Sequence, residues 1–161
     1  MAVYTIQALG GPPNAVAVGL NSSGNTCGDW EPSQFYGETW APAGQVSLAL
    51  EIPCYLTAID DHSEGGFYDT VGALGNEQNA ILVRAGQIVD LVRAFGVGTE
   101  ATVINNNGLI AGYNQTDAIV YDSFGNNVVA TIPPPPGANR IAAMAINSSG
   151  AIAGMISNNK A

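Results

Sequence analysis

Residues 142–155 read AAMAINSSGAIAGM, an apolar run, an Asn-x-x-Gly turn and a second apolar run. Residues 15–28, AVAVGLNSSGNTCG, and 101–113, ATVINNNGLIAGY, repeat the pattern, and 56–72, LTAIDDHSEGGFYDTVG, varies it. Aligned on the Asx that opens each turn, the four copies fall at Asn21, Asp60, Asn105 and Asn147, spaced by 39, 45 and 42 residues. That period suits a four-stranded repeat unit of the propeller kind. The turn has a local cause. An Asx side chain bonds the backbone two residues on, and a Gly three residues later takes positive φ without a Cβ clash. Asn21 with Gly24, Asn105 with Gly108 and Asn147 with Gly150 are therefore structural turn residues. At Asp60 the turn is replaced by a longer loop, Asp60–Gly66.

A second hairpin follows each of the first three: GETWAPAGQVSLAL (37–50), NAILVRAGQIVDLV (79–92) and DAIVYDSFGNNVVATI (117–132). The connecting stretches GGPPN (10–14), EIPCYL (51–56), AFGVGT (94–99) and PPPPGAN (133–139) fall in register between units. Three of them contain proline, which belongs at sheet edges and crossovers. In that register the Pro133–Pro136 run is a stiff linker. No convincing helix is expected.

The pattern Ala-x-x-Ile-Asn-x-x-Gly-x-Ile-x-Gly, followed by a strand and a Gly turn ending in Val-x-x-Leu, resembles the HAF-type extracellular repeat. AMAINSSGAIAG, ATVINNNGLIAG and AILVRAGQIVDL carry the likeness over most of residues 14–156. The namesake His-Ala-Phe is degenerate, standing as Glu38-Thr39-Trp40, Asn79-Ala80-Ile81 and Asp117-Ala118-Ile119. The resemblance implies propeller-like blades and no particular chemistry.

The expected fold is thus all-β, one β-repeat domain over residues 1–161. It comprises an N-terminal strand at 2–9, repeats at about 14–51, 55–94 and 100–132, and a partial repeat at 140–156. Strand 2–9 reads as a fourth strand, and 140–156 supply only a first and a second. The tally is 15 strands where a closed ring of four blades needs 16. About three blades are complete and one is split between the termini. An open sheet edge invites pairing with another chain.

Composition narrows the partners. Net charge is −9 and the only Lys or Arg are Arg84, Arg93, Arg140 and Lys160, too few to neutralise a nucleic-acid backbone. No apolar run reaches the ~18 residues of a spanning helix, so membrane insertion is not expected. The start, MAVYTIQALGG, has neither the basic residues nor the long apolar centre of a signal peptide.

The chemistry-bearing residues are few. Asp60, Asp61, His62 and Glu64 are hard-metal ligand types crowded in one loop. The other copies hold Asn and Ser there, so the loop reads as a solvated variant of the turn and no metal or cofactor is expected. No Gly-x-Ser-x-Gly elbow accompanies the lone histidine, and no enzymatic role is expected. Cys27 and Cys54 either stay as buried thiols or pair, closing a loop worth roughly 3–4 kcal/mol in the chain-entropy model.

DWEPSQFYGETW (29–40) concentrates Trp30, Phe35, Tyr36 and Trp40, aromatics that fill a core, anchor a protein contact or stack on a sugar. The sequence therefore points to a non-enzymatic structural protein, an assembly or decoration component of an extracellular or virion-like structure. Its partners are then other proteins or its own copies. The alternatives are a lectin-like glycan binder using the 29–40 aromatics and a metal-dependent enzyme using the 60–64 loop.

Overall fold

The computed structural model describes residues 14–30, 36–42, 45–75 and 78–158. These are all-β apart from one helical turn. The expected strand 2–9 lies outside the described residues. The strands are β1 (Val16–Leu20), β2 (Thr26–Trp30), β3 (Tyr36–Trp40), β4 (Val46–Glu64), β5 (Phe67–Leu74), β6 (Ala80–Arg84) and β7 (Gln87–Asp90). The turn α1 (Val92–Phe95) leads to β8 (Glu100–Ile104), β9 (Leu109–Tyr113), β10 (Ala118–Asp122), β11 (Asn127–Ile132), β12 (Arg140–Ile146) and β13 (Ile152–Ser157). Every pairing is antiparallel between chain neighbours: β1 to β7 in order, β8 to β11 in order, and β12 with β13. None of these sheets closes on itself.

The 19-residue β4 explains why 13 strands appear where the sequence suggests 14 over residues 14–156. Up to Pro53 it pairs with β3, and from Cys54 it pairs with β5. The expected linker at 51–56 is therefore continuous strand. Proline fits there because it marks the handover between ladders, and its carbonyl still accepts the Gly75 N–H at 2.9 Å. The described residues thus form four successive layers: β1–β3 with residues 46–53, residues 54–64 with β5–β7, β8–β11, and β12–β13.

Three apolar clusters lie between successive layers. Cys27, Leu48 and Leu50 of the first meet Leu56, Ile59, Ile81 and Val83 of the second. Val71, Ala80, Leu82, Leu91 and Phe95 meet Ala101, Ile104, Ile110, Ile119 and Tyr121 of the third. Val103, Ala111, Ala118 and Ile132 meet Ala143, Ile141, Ile146 and Ile152 of the fourth. Burial of these faces supplies the main stabilisation, about 1.5–3 kcal/mol for each fully covered large side chain.

Two further expectations are corrected. The described residues include one helical turn, α1, because Asp90 Oδ1 accepts the Val92 N–H at 2.7 Å and Phe95 is drawn into the core. The 60–66 stretch is no open loop. β4 runs on to Glu64, Gly65 and Gly66 turn at positive φ, and β5 starts at Phe67, with an irregularity between Ile59 and Ser63.

Each first hairpin carries the same β-bulge. The pairs Ala17–Gly28, Leu56–Gly72, Ala101–Gly112 and Ala143–Gly154 precede a skipped residue: Val18, Thr57, Thr102 and Met144. The bulge pushes a carbonyl against the opposing glycine. A Cβ on Gly28, Gly72, Gly112 or Gly154 would lie 1.9, 1.9, 2.0 or 2.3 Å from the oxygen of Val16, Tyr55, Glu100 or Ala142. The final Gly of the sequence motif is thus required by close approach rather than by a turn.

Candidate functional site

The Asx turns form as expected and do more. Asn21 Oδ1 accepts the N–H groups of Ser23 and Asn25, Asn105 Oδ1 those of Asn107 and Leu109, and Asn147 Oδ1 those of Ser149 and Ala151. Asp60 Oδ1 accepts the His62 N–H at 2.9 Å. Gly24, Gly108 and Gly150 sit at φ of 81°, 72° and 83°. The amide ends link layers. Asn21 Nδ2 donates to the Asp60 carbonyl at 3.0 Å and Asn105 Nδ2 to the Asn147 carbonyl at 2.8 Å. Asp60 has no amide to donate, and there Asp61 and Asn106 pair instead, through Asn106 Nδ2 to Asp61 Oδ2 at 2.6 Å. The bulge threonines add a second seam. Thr57 Oγ1 reaches the Ala101 carbonyl at 2.7 Å and Thr102 Oγ1 the Ala143 carbonyl at 2.6 Å.

The 60–64 residues separate. Asp61 is half-buried at the surface, and its hydrogen bonds from Ser22 and Asn106 hold its carboxyl below the usual range. Glu64 is exposed at the hairpin end. His62 Nδ1 lies 3.3 Å from Asp69 Oδ2, and its ring meets Phe124 edge-on at 5.0 Å. Arg84 caps Asp69, donates to the carbonyl and hydroxyl of Ser123 at 3.0 and 2.9 Å, and stacks on Phe124 at 4.8 Å. Asp60 and Asp69 are almost wholly buried, with one oxygen each lacking a hydrogen-bond partner among the described residues. Burial, and next the charge of Asp69, push Asp60 up to about 7. Among the described residues no three His, Cys, Asp or Glu side chains converge as a metal-ligand set. With Arg84 already on Asp69, the group acts as a fastening between the second and third layers. Asp69 and Arg84 escape the sequence reading because neither belongs to a local motif.

The aromatics also divide. Trp40 is fully buried and so presents no ring to a ligand. Trp30 and Tyr36 are half-buried, with ring centroids 5.8 Å apart at 32°, beside Glu38 and Glu51 in a shallow depression. Phe35 lies outside the described residues. Cys27 and Cys54 are free thiols buried in one cluster, so the pairing weighed from the sequence is not made. Burial pushes Cys27 up to about 12 and raises Cys54, which suppresses thiolate chemistry.

A polar depression of about 430 Å³ opens beside the first strands, lined by Tyr55, Glu100, Tyr113 and Arg140 among others. Glu100 Oε2 accepts the Tyr113 hydroxyl at 2.7 Å, and Arg140 stacks on the Tyr113 ring at 4.2 Å. These groups satisfy one another across the third and fourth layers.

The two end layers are the least covered. Leu20 is 69 % exposed, Met144 49 % and Met155 61 %. β12–β13 has two strands where its predecessors have four, and the outer edge of β13 has no strand partner among the described residues. Compared with protein-family models, curated proteins and solved structures, the chain matches none.

Proposed function

We propose that the chain is a non-enzymatic assembly protein, its layers the blades of a propeller-like HAF-type repeat, working through protein contacts at its end layers. The observation that supports this best is the β12–β13 layer, whose strand edge has no partner among the described residues and whose apolar side chains Met144, Met155 and Ile156 are exposed. An exposed β edge is costly to leave unless something covers it. The polar groups between layers fit the same reading, since Arg84, Asn21, Asn105, Thr57 and Thr102 are all spent on fastening layers. An acidic assembly component suits an extracellular or virion-like setting.

The apolar–polar alternation of residues 2–9, which lie outside the described residues, carries the sequence expectation of a strand added to a neighbour's open layer. Deleting residues 1–9 and measuring molar mass by light scattering tests this. The expected result is a folded monomer from an oligomeric wild type. A wild type that stays monomeric at high concentration contradicts it.

A second reading has its own observation, the Trp30–Tyr36 pair beside Glu38 and Glu51, an arrangement suited to stacking on a sugar ring. Screening immobilised glycans with wild type and Trp30→Ala decides it. Binding lost in the variant supports a lectin-like role, and equal signals remove it.

A further inference from the structure

We propose that the outer face of the fourth layer docks a second copy of this chain, head to tail, through the β1 side of that copy's first layer. The proposal rests on the assembly reading and names its partner. It follows from the way each layer is covered by the next.

Within every first hairpin, two positions face the preceding layer: those four and one before the Asx. The first set is Leu56, Ala101 and Ala143, exposed by 1 %, 0 % and 1 %. The second is Ile59 and Ile104, both buried, with Ile146 packed against the third layer. Their counterparts in the first layer, Ala17 and Leu20, are exposed. Trp40 and Glu38 face the same way and are already buried, so the open part is the strip along β1.

The opposite face shows the converse. The cross-strand pairs Gly19–Cys27, Ala58–Val71 and Val103–Ala111 each lie under the following layer. The matching fourth-layer pair, Ala145–Ala153, is exposed and flanked by the exposed Met144 and Met155.

The hydrogen-bond ladder is open at the same two ends. The Asn147 side-chain nitrogen has no acceptor among the described residues, whereas Asn21 and Asn105 each donate to the next layer. Among the described residues the Asn21 carbonyl receives only the Gly24 N–H, whereas the Asn147 carbonyl receives both Gly150 and Asn105. Continuing the register sets the Asn147 amide of one copy opposite the Asn21 carbonyl of the next.

Leu20 and Met155 are both more than half exposed, so the two faces do not cover each other within one chain. Neither strip carries a charge, which lets copies of net charge −9 meet there. Such an interface is heterologous, and it yields a ring or a filament according to the rotation per copy.

Complementation tests it with the full chain. Leu20→Glu blocks the head, and Ala153→Glu with Met155→Glu blocks the tail; thermal unfolding verifies that each variant is folded. Sedimentation should show oligomers beyond dimer for wild type, each blocked variant monomeric alone, and their mixture stopping at a 1:1 dimer. Oligomers that persist in Leu20→Glu, or a mixture that stays monomeric beside an oligomeric wild type, overturn the head-to-tail proposal and leave the assembly reading standing. A monomeric wild type overturns both.

Discussion

The side-chain amide of Asn105 donates to the main-chain carbonyl of Asn147 at 2.8 Å, joining equivalent turns 42 residues apart. One residue type thus serves two purposes. Its oxygen closes its own turn and its nitrogen fastens the next layer. Asn105→Ala should lose both and destabilise by about 2–3 kcal/mol, because two part-buried turn hydrogen bonds and the link to Asn147 go together. Asn147→Ala, solvent-exposed and without the second link, should cost about 1 kcal/mol. Urea denaturation of the two variants measures the difference, and equal losses contradict the ladder.

Gly112 should tolerate no side chain. A Cβ there would lie 2.0 Å from the Glu100 oxygen, so Gly112→Ala must open the bulge or unpair the hairpin. The expected loss is about 2–4 kcal/mol, in the range of strong backbone and packing conflicts. Gly65→Ala is the control, with positive φ but nothing within 4 Å, and should cost about 1 kcal/mol. A Gly112→Ala midpoint at or above that of Gly65→Ala refutes the bulge.

Turn and period were legible in the sequence because Asx and Gly act through their own backbone, within a few residues. The layer spacing followed from counting hairpins. The role of Gly28, Gly72, Gly112 and Gly154 was hidden, since it depends on a carbonyl across the strand pair. Pro53 was misread as a break because a proline at a handover between ladders looks, locally, like one that ends a strand. For Trp40 the sequence left core, protein contact and sugar stacking open, and the assembled structure places it in the core. Asp69 and Arg84 meet 15 residues apart across β5 and β6, a distance at which no spacing rule distinguishes them from other charges.

Asp60 stands where three other copies hold Asn, and its proton affinity sets a pH dependence. Burial and Asp69 push it up to about 7, against 3.8 for the exposed group. The folded protein therefore holds this proton more tightly than the unfolded chain, and stability falls as pH rises from about 4 through 7. The effect is at most about 4 kcal/mol. Asp60→Asn should flatten that part of the profile and be more stable than wild type at pH 8. Parallel profiles for the two proteins contradict the assignment.

Ala85 and Gly86 form the two-residue turn between β6 and β7, at φ of 51° and 73°. Both positions of such a turn favour Gly or Asn, and Ala is strained there. Ala85→Asn should raise stability by about 0.5–1 kcal/mol, seen as a higher thermal midpoint. A lower midpoint contradicts the turn type.

The central claim is that the open fourth layer is a contact surface. Hydrogen–deuterium exchange of β13, Ile152–Ser157, measured against protein concentration, tests it most directly. In dilute protein these amides should exchange fast, with protection rising at least tenfold as assembly proceeds, while β9 stays equally protected throughout. Exchange of β13 that is independent of concentration up to the highest attainable contradicts the account.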